Sequence, residues 1–336
     1  MGQDVRFRKQ TTVNYEANGV VSEKLSRGMV YRELYVKLVG QLDRLTTENT
    51  QALTLKGDEW ACVKKIEIIA NNVDVLWSLT GNQLWWFNYY QMGNRPHITP
   101  AIGSEDADPS FATVLMIPFW MPRAIRPIDT ALDARNLSDL QIRVTWGDDV
   151  DIQASAAPAW LAEPTLHVYS LESTKVKGPF ATQRVYYIEK VISATTPQFQ
   201  VTLPVGPVYR SFLFNTESEG KDAGAILNNV KLKSGTTIFV DLPEMVLEQA
   251  NGWLRNGTVH TFDDGAGLYD PARRGSTYNV RAGWRFLDLV TDNFLTEALD
   301  SLGFSELELE LDVTVAGDPT KLFIIPQTII PVRGKA

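Results

Sequence analysis

Cysteine is almost missing from this 336-residue chain: Cys62 stands alone, which excludes an intramolecular disulfide. Histidine is nearly as scarce. His97, His167 and His260 are scattered without metal-ligand spacing, so structural zinc is excluded. No apolar run approaches the roughly 20 residues that a membrane-spanning helix needs, and Met1–Lys9 is polar where a secretory signal would carry its apolar segment. Neither an integral membrane protein nor signal-directed secretion is expected. Blocks of like charge are also missing. The net charge of −8 comes from 21 acidic against 16 basic residues in 1–172 and 19 against 16 in the remainder, so neither half is a basic, phosphate-binding module. There is no Gly-x-Ser-x-Gly elbow and no EF-hand spacing.

What is present is a repetition. Residues 131–144 return as residues 298–311 at a constant shift of 167, half the chain. Ala131, Leu132, Asp133, Ser138 and Leu140 recur unchanged as Ala298, Leu299, Asp300, Ser305 and Leu307. Leu137, Asp139, Ile142 and Val144 recur as Phe304, Glu306, Leu309 and Leu311, with polarity and spacing kept. A period this long means two domains of one kind in tandem, and the length agrees with the prior of roughly 150 residues per domain. The 44% hydrophobic and 21% charged content suits two globular cores.

Period-two alternation sets in at Tyr31, where Leu34, Val36 and Leu38 oppose Glu33, Tyr35 and Lys37. Val63–Ala70 and Val73–Leu79 read as a hairpin turned at Asn71-Asn72. Thr80 with Gln83 makes a capping box for a short helix over Leu84–Gln91 that stops before Gly93. The second half repeats the unit with strands Val230–Lys233 and Thr237–Leu242, a turn at Ser234-Gly235, and Asp241 with Glu244 capping a helix that ends near Gly252. Long loops follow each helix, at 93–110 and 256–276. Then come further strands: Thr113–Trp120, Leu140–Trp146 and Thr165–Ser173, answered by Gly283–Val290, Leu307–Val315 and Leu322–Ile330, with Ala-Leu-Asp in a short helical connection each time. Many short strands and few helices describe an all-β protein of antiparallel sandwiches. The expected divisions are an N-terminal arm outside the first core (1–28), a first sandwich (29–174), a linker (175–182) and a second sandwich (183–336).

Arg27–Leu34 with Leu38–Leu42, Ile66–Asn72 and Leu79–Leu84 resembles the first jelly roll of the double-jelly-roll major capsid proteins of tailless, icosahedral, membrane-containing viruses. That lineage joins tectiviruses, corticoviruses and their marine relatives to adenovirus hexon. Val201–Gly206 with Tyr209–Ser211 is similar to the start of the family's second jelly roll, and the resemblance runs from about residue 27 to 331. It implies two consecutive eight-stranded antiparallel jelly-roll sandwiches with short helices in the connections. It further implies a bacteriophage-type virion protein that is not an enzyme and needs no cofactor. Three copies would form a six-lobed capsomer, assembled in the host cytoplasm. The implied partners are the chain itself, neighbouring capsomers, minor capsid and vertex proteins, and an inner lipid membrane.

Charge bears on what lies inside such a shell. Residues 1–28 hold five basic and three acidic residues, too few cations for an arm that packages genome directly, so no direct nucleic-acid contact is expected. Arg6, Arg8 and Lys9 suit anionic lipid headgroups, at about 1 kcal/mol each near a surface. A solvated terminus or a contact with a neighbouring capsomer explains them equally well. Asp106, Asp108, Asp148, Asp149, Asp151, Asp263, Asp264 and Asp270 lie in loops, where solvated turns are the simplest reading and paired catalytic carboxylates or a calcium site the sharper ones. Trp85, Trp86, Phe87, Tyr89 and Tyr90 could stack on sugar, but Trp86, Tyr89 and Tyr90 share a helix face, which favours packing. A carbohydrate-binding or carbohydrate-active β-sandwich is therefore the alternative function.

Overall fold

A computed structural model describes residues 5–43, 59–92, 98–99, 110–121, 127–152, 159–174, 181–218, 221–224, 226–251, 283–290, 295–317 and 319–331. The chain divides into one unit built chiefly from Met1–Arg184 and another from Val185–Leu268 and Ser276–Ile330.

Alternation in the sequence becomes strand in the first unit because every second side chain has a core to enter. Its strands are β1 (Val5–Asn14), β2 (Val20–Lys24), β3 (Val30–Asp43), β4 (Val63–Ala70), β5 (Asp74–Leu79), β6 (Ile98–Thr99), β7 (Ser110–Pro118), β8 (Leu132–Asp133), β9 (Leu140–Trp146) and β10 (Ala159–Ser173), with helix α1 (Gly81–Met92) after β5. One sheet runs β1-β10-β3-β7 and carries β6 at its edge; the other runs β2-β9-β4-β5. Leu34, Val36 and Leu38 of β3 lie beside Leu166 and Val168 of β10 and face inward with Ile66, Ile68, Ile142 and Val144 of the second sheet, all essentially buried. Each such side chain contributes about 1.5–3 kcal/mol by leaving water. Asn71 and Asn72 have φ of 53° and 64°, the left-handed conformation that Asn tolerates, and this lets β4 turn into β5.

The second unit repeats the plan. After β11 (Ala181–Tyr186) come β12 (Ile188–Ile192), β13 (Thr196–Thr202), β14 (Val208–Ser218), β15 (Lys221–Asp222), β16 (Leu227–Ser234), β17 (Thr237–Pro243), helix α2 (Glu244–Asn251), β18 (Trp284–Asp288), β19 (Leu299–Asp300), β20 (Glu308–Val313) and β21 (Thr320–Pro331). One sheet follows β12-β21-β14-β18 and the other β13-β20-β16-β17. With its eight main strands numbered in chain order, each unit has one sheet ordered 1-8-3-6 and one ordered 2-7-4-5. That is the jelly roll, twice, with a helix after the fifth strand both times. The core of the second unit gathers Phe212, Phe214, Val230, Leu232, Leu309, Leu311, Leu322 and Ile324.

Three expectations need correction. Residues 1–28 are not an arm outside the core: β1 pairs with β10 from Val5 to Asn14, β2 pairs with β9, and Val13 and Leu25 are buried. The repeated Leu-Asp is not helical. It forms the two-residue strands β8 and β19, which pair with Val30-Tyr31 and Val208-Tyr209, and a short 3-10 turn follows β8. Asp241 does not cap α2, because its carboxylate accepts from Asn229 Nδ2 at 2.8 Å while Glu244 is engaged by Arg285. The Thr80–Gln83 box does form, with both reciprocal hydrogen bonds at 3.1 Å.

Candidate assembly surfaces

The repetition is three-dimensional as well as sequential. Leu25, Gly28, Val30, Tyr31 and Arg32 return as Leu203, Gly206, Val208, Tyr209 and Arg210, and both sets build the same corner. Gly28 and Gly206 have φ of 96° and 108°, which side chains rarely tolerate, and they swing the chain into the third strand of each unit. Five residues back from each tyrosine, a backbone carbonyl accepts its hydroxyl: Ser26 at 2.5 Å from Tyr31 and Pro204 at 2.6 Å from Tyr209. The Ala-Leu-Asp partner closes the corner, since Ala134 N–H donates to the Met29 carbonyl at 3.0 Å and Ser301 N–H to that of Pro207 at 3.3 Å. Burial pushes the Tyr31 phenol up to about 12, so it stays a neutral donor. Leu25 N–H to the Leu140 carbonyl and Leu203 N–H to that of Leu307 complete the equivalence. The motif was visible in the sequence as Gly-x-Val-Tyr-Arg, but its pairing with Ala-Leu-Asp was not.

The cationic trio lies on β1, an edge strand. Arg6, Arg8 and Lys9 are all exposed, yet Arg8 is engaged: its Nε donates to Glu172 at 3.1 Å, and its guanidinium also meets Ser26. Glu172 is fully buried and also accepts from Gln10 Nε2 at 2.6 Å and Ser170 Oγ at 2.9 Å. This polar knot is how a strand with so few apolar residues is held to a core. On the opposite face of the same sheet, Lys9 and Lys37 flank His167, and burial first, then these two cations, lowers the imidazole's affinity for protons.

Asp148, Asp149 and Asp151 shape a 3-10 turn, with Asp148 and Asp151 forming a reciprocal capping box. Tyr15 and Asn18 donate to Asp148, and Lys64 pairs with Asp151 at 2.6 Å. These carboxylates hold a turn together. Asp106, Asp108, Asp263, Asp264 and Asp270, His97 and His260, and nearly all of the two long loops lie outside the described residues. Among the described residues no group of three His, Cys, Asp or Glu could hold a metal, and no helix is long and apolar enough to cross a membrane. The aromatic block of α1 is core: Trp86, Phe87, Tyr89 and Tyr90 are buried, and Phe87 meets Trp77 edge-on at 5.3 Å. Trp85 alone of the five is half-buried, and it stacks on Tyr89 at 5.9 Å, so four of the five rings of the expected sugar platform are core.

The second unit presents a charged face instead. Outside Leu309 and Leu311, Glu310 takes Lys231 at 2.8 Å and Lys233 at 2.7 Å, and Lys233 reaches Glu308 at 3.7 Å. These pairs are half-buried, and ion pairs at a surface add little stability, so they mark a polar face rather than a core.

No family model and no curated protein matches this sequence. Solved structures do. The STIV major capsid protein is similar with a TM-score of 0.73 and 12% identity over 98% of each chain. The major capsid protein of bacteriophage PM2 matches with 0.63 and 14% over 99% of each chain. The PBCV-1 virus capsid matches with 0.63 and 9%, covering 97% of this chain and 93% of that one. This chain has the double-jelly-roll fold of those viral major capsid proteins.

Proposed function

We propose that the protein is a structural major capsid protein and not an enzyme: three copies form a pseudo-hexameric capsomer, and capsomers tile an icosahedral shell over an internal lipid membrane. The observation that carries this reading is the tandem of two jelly rolls with identical strand order, matched over nearly its whole length by capsid chains. Two like lobes per chain, three chains per capsomer, give six similar sides by closed cyclic symmetry. The virion is then its location, after assembly in the host cytoplasm. Its partners are copies of itself, together with minor capsid and vertex proteins. Arg6 and Lys9, exposed on an edge strand, are the cations that would meet lipid; Arg8 is mostly committed to Glu172.

Analytical ultracentrifugation of the purified chain tests the reading, with negative-stain microscopy of the same sample. A species of about three chain masses that appears as six-lobed particles is expected, and its flotation with anionic vesicles should fall when Arg6 and Lys9 become serine. A monomer at all concentrations overturns the capsid reading; a trimer indifferent to vesicles overturns the membrane part alone.

A further inference from the structure

Setting Tyr31 on Tyr209 aligns the third strands of the two units, and the strand register then equates the residues of their 1-8-3-6 sheets that point away from each core. Tyr35 and Tyr169, both half-buried, fall on Leu213 and Ile325, both 0% exposed. One step further along the same face, Thr12, His167 and Lys37 fall on Glu189, Phe323 and Asn215. The second unit therefore fills these three places with one carboxylate, which pairs with Lys321 at 2.7 Å, and two uncharged side chains. Nothing in the jelly roll itself demands cations there.

The first unit nevertheless collects them. His167 of β10 and Lys37 of β3 are directly opposed, and Lys9 of β1 flanks the imidazole from the other side. Like charges opposed across strands weaken a sheet, and the conflict is visible in the lowered proton affinity of His167, set by burial and then by these two cations. Among the described residues neither lysine makes an ion pair. Glu33, on the same face of β3, is 3% exposed and already accepts from the Tyr35 hydroxyl and from Trp120 Nε1. Thr12 Oγ1 lies 3.1 Å from Nδ1 of His167, which orients the ring and leaves Nε2 without a hydrogen-bond partner among the described residues. Donors from three adjacent strands thus gather with no carboxylate to meet them, on a chain whose net charge is −8.

We propose that Lys9, Lys37 and His167 form a binding site for a tetrahedral oxyanion, a phosphate or sulfate group. Two ammonium groups and an imidazolium supply charge-assisted hydrogen bonds of the kind that hold such groups, and the bound anion offsets the repulsion among the three. The site goes beyond the capsid reading and does not depend on it. A free oxyanion and the phosphate of a lipid headgroup share this chemistry, and the test separates them.

Inorganic sulfate added to the full chain provides that test, followed through the histidine ring resonances. The chain has three histidines, and His167→Gln identifies the signal that matters. Sulfate keeps its charge across about pH 8 to 5, where histidine titrates, so any pH dependence belongs to the protein. An anion favours the imidazolium, so sulfate should raise the pH at which His167 titrates and, reciprocally, should bind more tightly as pH falls. His167→Gln should flatten that dependence. Lys9→Met or Lys37→Met should weaken binding at least about tenfold, as loss of one charge-assisted hydrogen bond implies. Lys24→Met removes an exposed cation from the other sheet and should leave binding unchanged. A response of the His167 signal to vesicles of anionic phospholipid assigns the site to lipid headgroups, and a response to sulfate alone assigns it to a free oxyanion. An unchanged His167 titration in both arms, or equal weakening by Lys24→Met, overturns the proposal. A trimer indifferent to sulfate leaves the capsid reading standing, whereas a monomer that binds sulfate through these residues leaves the site standing without it.

Discussion

Tyr31 and Tyr209 do at two places what no apolar side chain could: each fills a core position and satisfies a carbonyl that the corner would otherwise bury unpaired. Tyr209 is fully buried, and burial raises its phenol above the ordinary tyrosine value, so the hydroxyl donates across the working pH range. Tyr209→Phe should cost about 1–3 kcal/mol, the range for orphaning a buried acceptor. Tyr31→Phe should cost at least as much, because its hydroxyl also lies 3.1 Å from Ser26 Oγ within the Glu172 knot. Thermal melts of the two variants measure this, and no change in either would mean the corner carbonyls find other partners. At the same scale the copies have diverged: Asp133 holds Arg135 through two contacts of 2.7 Å, whereas Asp300 only receives Leu302 N–H at 3.0 Å.

Strands β4 and β9 illustrate what an element adds to its residues. Across them Glu67 accepts from Arg143 at 2.7 Å, and along β4 it accepts from Lys65 at 2.8 Å. Burial pushes this carboxyl's pKa up, but hydrogen bonds from Arg143 and Lys65 outweigh it and hold the value below the ordinary one. Asp133 is lowered chiefly by Arg135, against burial. A depressed folded-state pKa means that the unfolded chain binds the proton more tightly. The stability from these pairs is therefore complete above the ordinary carboxylate range and is lost as pH falls through the lower folded values. Asp149, raised by burial and by Asp148, works in the opposite sense and offsets part of the loss. The melting temperature should thus drop as pH falls below about 4, and Glu67→Gln should flatten that drop. Melts from pH 7 to 3 test it, and an identical acid profile for the variant would remove Glu67 from the account.

In the whole molecule, the largest difference between expectation and structure is the N-terminus. Read from residues, 1–28 lacks an apolar alternation and so reads as an arm. In the fold, β1 closes one sheet and β2 the other, so both sheets of the first unit lose an edge if they go. The alternation is hidden because the inward positions of β1 near Glu172 are polar, Arg8 and Gln10, while Phe7 points outward. Deleting residues 1–25 should abolish the cooperative melt of the first unit, since Val13 and Leu25 leave the core and Glu172 is stranded. A truncated chain with an unaltered melting profile would restore the arm. Proteolysis combined with circular dichroism distinguishes the two.

The sequence by itself determined that there are two like domains, that they are all-β, where most of the strands, the Asn71-Asn72 turn and the Thr80 cap lie, and which face of Leu307–Leu311 is core. Each of these follows from local chemistry: period-two alternation, positive-φ tolerance of Asn, and side chains three residues apart. Only the tertiary structure decided that polar β1 belongs to a sheet, that Ala-Leu-Asp bridges to the tyrosine strand, and that Tyr35 and Tyr169 stand half-covered where Leu213 and Ile325 are sealed. Those outcomes depend on partners far away in the sequence, as Arg8 is from Glu172 and Tyr209 from Leu299. No local pattern records which neighbour will satisfy a buried carboxylate or cover the second face of a sheet.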